Sequence, residues 1–111
     1  MDPFKPYQPK SAAKAPPRMT DDVAEAMALQ AIAYLMADEA LMTGFLAASG
    51  CAPEELKGRL KDRGFLVGAL DYLLSDDSVV IAFARHIDVA PETPLHAREW
   101  LMGASAHEDH R

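Results

Sequence analysis

Apolar residues recur at intervals of three and four positions from residue 20 onward, which is the spacing of one face of an α-helix. A first helix is predicted to begin after Thr20, an N-cap residue followed by two aspartates, and to continue to Met36. No glycine or proline interrupts this stretch. Its apolar face consists of residues at helical spacing, namely Val23, Met27, Ala31 and Tyr34.

Cap and breaker residues divide the next part of the chain into short helices. Asp38 is predicted to cap a second helix over Glu39–Ser49, and Gly50 suits the left-handed residue that ends a helix. Proline is tolerated in the first turn of a helix, so a third helix is predicted over Pro53–Leu60.

The fourth helix is predicted to lie at the centre of the core. It follows Asp62 or Arg63, and its residues are nearly all apolar: Phe65, Leu66, Ala69, Leu70, Leu73 and Leu74. Gly64 and Gly68 form a GxxxG pattern, which in a membrane span signals helix dimerisation. Because the apolar run is too short for a span, we expect these glycines to allow close helix packing inside the domain.

An internal repeat decides the structure predicted for a Val-Val-Ile segment at residues 79–81. Propensity alone favours a strand there, because β-branched side chains suit extended backbone. However, residues 31–54 align with residues 69–92 at an offset of 38 positions. Eight pairs are identical: Ala31/Ala69, Tyr34/Tyr72, Leu35/Leu73, Asp38/Asp76, Phe45/Phe83, Ala52/Ala90, Pro53/Pro91 and Glu54/Glu92. Since the first copy is predicted to be helical, a fifth helix is predicted over Asp77–Ile87.

A last helix is predicted from Pro94, after Thr93, to Met102, with Gly103 ending it. Two copies of a repeat are too few for a stacked solenoid, which needs about three. The predicted fold class is therefore all-α, a compact bundle of about six short helices with an internal two-fold duplication. Four rings are expected to be buried between the two copies: Tyr34, Phe45, Tyr72 and Phe83.

Composition separates a tail from the folded domain. Five of the eight prolines lie before Met19, in a stretch with almost no branched aliphatic side chains. Because proline fixes φ and lacks an N–H donor, residues 1–19 are predicted to be a disordered, Pro-rich basic tail. Residues 20–103 are predicted to form the helical domain, and residues 104–111 a disordered C-terminal tail.

Charge is distributed unevenly along the chain. Residues 1–19 carry four basic groups and one acidic group, a net of +3, whereas the remainder carries 7 basic and 16 acidic groups, a net of -9. An acidic body repels nucleic acid and anionic lipid in general. No apolar run reaches the ~20 residues of a membrane span, and a single cysteine suits a reducing compartment, so a cytoplasmic location is expected.

Several core and cap motifs together resemble those of one family. They are Ala28–Leu35, Phe45-Leu46 with Gly50, Phe65-Leu66 with Leu70–Leu74, and Asp76–Phe83. Over residues 26–101 the chain resembles the short bacterial proteins of domain-of-unknown-function family 3572. The resemblance implies a helical fold without an assigned activity, and the matching motifs include no catalytic signature.

Candidate catalytic groups do not converge in the sequence. There is no GxSxG, HExxH, Walker A or dinucleotide-type glycine pattern, and the paired carboxylates stand at predicted helix starts. We therefore expect no catalytic residue, no cofactor and no enzymatic activity. His86 and His96 lack a clear third ligand for a metal, and weak metal binding by His107 and His110 is left open.

Four of the seven basic residues of the acidic body lie close together in the sequence: Lys57, Arg59, Lys61 and Arg63. One interpretation is a helix-turn-helix over residues 56–73, with Gly64 in the turn. Its second helix has no Arg, Lys, Asn or Gln to bond base edges, which disfavours sequence-specific DNA binding. The other interpretation is a set of solvated charges near a helix C-terminus.

The tail carries Phe4 and Tyr7 within overlapping PxxP spacings, which suit an aromatic-lined groove. By elimination, the leading hypothesis is a non-enzymatic accessory or adaptor protein that binds an unidentified protein partner. The alternatives are a nucleic-acid-associated regulator that uses the tail and the basic cluster, and an acidic mimic of nucleic acid. No membrane partner is expected, and the oligomeric state is left open. The candidate interaction residues are Phe4, Tyr7, Lys57, Arg59, Lys61 and Arg63.

Overall fold

Six α-helices and one 3-10 helix make up the described part of the chain. The computed structural model describes residues 18–110, with side chains for residues 18–103. The elements are α1 Asp21–Met36, α2 Glu39–Ser49, a 3-10 helix Pro53–Glu55, α3 Leu56–Arg59, α4 Arg63–Leu74, α5 Asp77–Ile87 and α6 Thr93–His110. No strand occurs within residues 18–110. The predicted all-α bundle is therefore confirmed, while Phe4 and Tyr7 lie outside the described residues.

The core forms where α1, α4 and α6 pack together, and α4 also contacts α2 and α5. The buried face of α4 consists of Phe65, Leu66, Ala69, Leu70 and Leu73. Leu35 of α1 and Leu101 of α6 are fully buried against this cluster. Burying a leucine or phenylalanine stabilises the fold by about 1.5–3 kcal/mol. As predicted, α4 lies at the centre of the core.

Side-chain oxygens and left-handed residues fix the helix ends where the sequence predicts them. Thr20 Oγ1 and Asp38 Oδ1 each accept a hydrogen bond from the backbone N–H three residues on, at 3.1 and 3.0 Å. Gly50 and Asp88, with φ of 68° and 60°, follow α2 and α5 and end these helices.

The β-branched segment of residues 79–81 is helical, as the repeat predicts. Asp76 Oδ1 caps α5 by accepting hydrogen bonds from the Ser78 backbone N–H at 2.9 Å and the Ser78 hydroxyl at 2.7 Å. The hydroxyl bond is the main reason that the pKa of Asp76 lies below its usual value. The contribution of this cap to folding stability is therefore present above the ordinary carboxyl pKa. It is lost as the pH falls through the lowered pKa of Asp76 in the folded protein. The cap and the burial of Val80 and Phe83 outweigh the strand propensity.

Aromatic contacts join the two predicted repeats. Tyr34 of the first packs edge-on against Phe83 of the second, with ring centroids 5.4 Å apart. Tyr72 of the second packs against Phe45 of the first at 5.8 Å. Both phenylalanines are buried and both tyrosines are half-buried. Two units related by an approximate two-fold axis make reciprocal contacts of this kind; the duplication itself stays a prediction.

Two elements differ from their predicted bounds. The third begins as the 3-10 helix at Pro53 and is α-helical only over Leu56–Arg59. The last does not end at Gly103, because α6 continues to His110. Gly103 keeps a negative φ, and although glycine costs a helix about 1 kcal/mol relative to alanine, the alanines at 104 and 106 favour its continuation. The predicted closure at Gly103 is wrong, and the boundary predicted there falls inside α6.

Length and apolar composition decide whether a helix could span a membrane. None of them alone combines the length and the apolar composition needed to cross a membrane. The helices α1 and α2 taken together have the required length and apolar composition, but the chain bends by 119° between them.

Gly44 of α2 makes room for the Tyr72 hydroxyl. A Cβ at position 44 would overlap that hydroxyl oxygen and lie 3.2 Å from Tyr72 Cζ. We therefore expect Gly44→Ala to lower the free energy of unfolding by about 1–3 kcal/mol, although alanine is the better helix former. In the Tyr72→Phe background, which lacks the hydroxyl, the same substitution should cost much less. Urea denaturation of the four proteins in this cycle measures the coupling, and an equal cost in both backgrounds would contradict the overlap.

Thr93, the first residue of α6, is fully buried, and its hydroxyl has no hydrogen-bond partner among the described residues. A buried hydroxyl without a partner costs about 1–3 kcal/mol. Thr93→Val, which keeps the shape and removes the polar atom, should therefore raise the free energy of unfolding. Thr93→Ser keeps the hydroxyl and loses a methyl group, so this substitution should lower the free energy of unfolding. Thermal denaturation of both variants checks these opposite signs.

Candidate functional site

An open groove of about 250 Å³ lies between α2, α3 and α4. The rings of Phe45, Phe65 and Tyr72 form one part of its lining. Ala48, Gly64 and Gly68 leave space beside these rings, and the polar residues Ser49, Arg59 and Asp62 complete the lining. Pockets that bury drug-sized ligands measure about 300–1,000 Å³, so this groove suits a single large side chain better than a cofactor.

The aromatic part of the groove is anchored in the core. Phe45 and Phe65 have exposed fractions of only 1% and 5%, and their ring centroids are 5.6 Å apart. Tyr72 is half-buried and packs on Phe45, with ring centroids 5.8 Å apart. Because close-packed core side chains hold one rotamer, the lining is preformed rather than assembled on binding.

The two glycines of the GxxxG pattern line this groove from α4. Both are exposed, and beyond the adjacent backbone of α4 a Cβ at Gly68 would meet no atom of the described residues within 4 Å. At Gly64 a Cβ would meet only Asp62 Oδ1, at 3.4 Å, which is ordinary contact. The prediction that these glycines allow close helix packing inside the domain is therefore wrong. They lie on the side of α4 opposite to its buried residues, where no helix of the described chain covers them.

Arg59 supplies the positive charge of the lining. Its guanidinium carbon lies 4.9 Å from the centroid of the Phe65 ring, a cation–π arrangement that orients the side chain. Asp62 also lines the groove, but its Oδ1 accepts a hydrogen bond from the Gly64 N–H at 2.9 Å. This carboxylate therefore serves as the N-cap of α4.

The structure gives different surroundings to the four residues of the predicted basic cluster. Arg63 Nη1 donates to the Leu101 carbonyl at 3.2 Å, and Nη2 lies 3.6 Å from a carboxylate oxygen of α1. Arg63 is thus part of the scaffold that joins α4 to α1 and α6. Lys57 and Lys61 are exposed and, like Arg59, form no ion pair with another described residue.

Groups that bind metals lie apart in the structure. Within residues 18–103, no three His, Cys, Asp or Glu side chains come close enough to hold a metal ion. The His86 ring lies 5.5 Å from that of Tyr34, and the buried Cys51 thiol donates to the Ala52 carbonyl at 3.3 Å. His107 and His110 lie beyond the described side chains.

The folded part that carries the groove coincides with the region of a family match. A family model described as "Protein of unknown function (DUF3572)" matches residues 21–104. The chain belongs to the DUF3572 family. The predicted resemblance is therefore confirmed, and no curated protein or solved structure matches the chain. All the groove residues of this DUF3572 protein lie inside the matched region, whereas Phe4 and Tyr7 lie outside it.

The groove itself was not predicted from the sequence. Phe45 and Tyr72 were assigned to the core alone, and Phe65 to the buried face of the fourth helix. One signal was present, because two glycines four positions apart leave a helix face without side chains on an otherwise apolar helix. Whether such a face meets another helix or solvent depends on the tertiary arrangement, which helical periodicity does not determine.

The open space beside Gly68 predicts a gain in stability on substitution. Gly68→Ala should raise the free energy of unfolding by about 1 kcal/mol, since alanine is favoured in a helix interior and its Cβ meets nothing here. The melting temperature should rise by about 4–8 °C for a domain of this size. A fall in the melting temperature would indicate that Gly68 packs against another segment after all.

Proposed function

We propose that this DUF3572 protein is a small accessory or adaptor protein without catalytic activity, which acts in the cytoplasm by binding another protein. The observation that carries this proposal is the open groove between α2, α3 and α4, with its aromatic lining and its stacked Arg59. Tyrosine and arginine are over-represented among the residues that dominate binding energy at protein interfaces.

The groove has the physical properties of a preformed binding surface. The two phenylalanines are held by the core, and Arg59 is oriented on the Phe65 ring. Side chains that are already ordered lose little conformational entropy when a partner binds, so more of the interaction energy remains as affinity.

The polar groups of the groove support binding rather than catalysis. The Ser49 hydroxyl donates to the Leu46 carbonyl at 3.2 Å, and the Asp62 carboxylate caps α4. A hydroxyl nucleophile needs a base within hydrogen-bond reach that activates it, and a general base must reach the proton that it abstracts. These two groups instead serve the helices that carry them.

The nucleic-acid alternative draws less support from the described residues. Gly64 lies in the first turn of α4, and the connection between α3 and α4 consists of residues 60–62. Arg63 of the basic cluster is bonded to the Leu101 carbonyl inside the scaffold. A helix-turn-helix with Gly64 in its turn is therefore not the arrangement seen.

Native co-purification with a groove-filling variant tests the proposed function. Gly68→Gln places a helix-forming side chain in the groove, and Gly103→Gln places the same side chain on α6, where a Cβ also meets nothing within 4 Å. We expect wild type and Gly103→Gln to recover the same protein from cells at native expression. Gly68→Gln should recover at least about tenfold less of it, which corresponds to about 1.4 kcal/mol of binding free energy.

The melting temperature of each variant is measured alongside, so that loss of binding is distinguished from loss of folding. If the three proteins recover the same set of partners, or none, the groove is not a protein-binding surface and the proposal fails.

A further inference from the structure

We infer that the groove binds an acidic linear segment of a partner protein, in which one large apolar side chain is flanked by carboxylates. This inference rests on the proposed function and specifies the partner's chemistry. It follows from the charge around the groove and from the shape of its interior, which are independent features.

The charge beside the groove is opposite in sign to that of the rest of the domain. The lining itself carries one positive and one negative group, Arg59 and Asp62. The segment that supplies them, residues 57–63, has four basic residues and one carboxylate, a net of +3. Of its basic residues, Lys57, Arg59 and Lys61 form no ion pair with another described residue. Charges interact strongly only within a Debye length of about 8–10 Å at physiological salt. A bound segment therefore meets this basic group, which favours carboxylates, more than the acidic surface elsewhere.

The interior of the groove selects one apolar side chain. Gly64, Gly68 and Ala48 leave the space empty, and the rings of Phe45, Phe65 and Tyr72 line it. An aromatic or leucine side chain placed there would bury apolar surface against three rings, and aromatic pairs add about 0.5–1.5 kcal/mol beyond burial alone. The volume of about 250 Å³ leaves no room for a continuous apolar stripe.

The N-terminal segment of the chain is the competing occupant, because it carries Phe4 and Tyr7. Its length is no obstacle, since 17 extended residues span up to about 55 Å. Its charge is the obstacle. Lys5 follows Phe4 directly, and Lys10 and Lys14 lie further on, so docking would bring like charges to Arg59. An acidic segment of another protein avoids this repulsion.

Selection from random linear peptides tests the inference without a known partner. The full-length protein is the target, and peptides that also bind Gly68→Gln are removed in each round. We expect the remaining peptides to share one aromatic or leucine residue flanked by Asp and Glu.

The best selected peptide is then measured by fluorescence anisotropy at ~50 and ~200 mM salt, where charge-dependent binding should weaken as salt rises. Arg59→Glu and Lys61→Glu should each weaken binding about tenfold or more. Arg85→Glu, the same reversal on α5 away from the groove, should leave it unchanged within about twofold. Lys61 is exposed and forms no hydrogen bond or ion pair with another described residue. Lys61→Glu therefore reports on charge even if Arg59→Glu perturbs the Phe65 contact.

Four outcomes overturn the inference. In the selection, they are peptides that are basic or uncharged, or the absence of any groove-dependent peptide. In the binding measurements, one is an at least tenfold gain in peptide affinity when Phe4 and Tyr7 are replaced by alanine. The other is an oligothymidylate probe that binds more tightly than the selected peptide and that Gly68→Gln does not weaken. The gain with the alanine variant would identify the N-terminal segment as the occupant, and the oligothymidylate result would identify nucleic acid as the ligand of the basic residues.

The inference and the proposed function fail in different ways. If acidic peptides bind the groove but no native protein co-purifies, the inference about the groove holds and the proposed adaptor function fails. If a native partner binds through the groove but its bound segment is not acidic, the adaptor function holds and the inference fails.

Discussion

Burial of one face of α4 against α1 and α6 is the interaction on which the rest of the structure depends. Phe65, Leu66, Ala69, Leu70 and Leu73 are all at most 5% exposed, so this helix has a fixed rotation about its axis. That rotation leaves Gly64 and Gly68 on the opposite side, facing solvent. The groove is therefore a consequence of core packing, because any rotation of α4 that covered the glycines would expose the leucines.

The shape of the groove depends on a chain of ring contacts that begins in the core. Tyr72 fits beside α2 only because Gly44 lacks a Cβ, and it packs on Phe45, which packs on Phe65. Arg59 then lies on the outer side of the Phe65 ring. The rings of the proposed binding surface therefore also belong to the fold, so substituting them would change stability as well as any recognition. The glycines are the exception, since they shape the surface without supporting the core.

Local signals in the sequence predict the helices well, because capping and periodicity involve neighbours in the chain. Thr20, Asp38 and Asp76 cap the helices that they were predicted to cap, and the repeat correctly overrides strand propensity at residues 79–81. The central position of α4 was predicted correctly, but other features that depend on tertiary packing were not. The partner of Arg63 is a carbonyl 38 positions away, and no helix within residues 18–103 covers the glycines of α4. The predicted end of α6 was also wrong. A glycine ends a helix when its backbone adopts the left-handed conformation, and Gly103 does not adopt it.

Neighbouring residues of α3, of α4 and of the connection between them differ in their contacts. The Asp62 carboxylate caps α4 and the Arg63 guanidinium binds the Leu101 carbonyl, whereas Lys57, Arg59 and Lys61 form no ion pair with another described residue. The chain as a whole carries a net charge of -6, so an acidic partner is repelled at long range and attracted only at contact. For the proposed acidic partner, the affinity would therefore depend on the lifetime of the contact at Arg59 rather than on electrostatic steering, and specificity would lie in the dissociation rate.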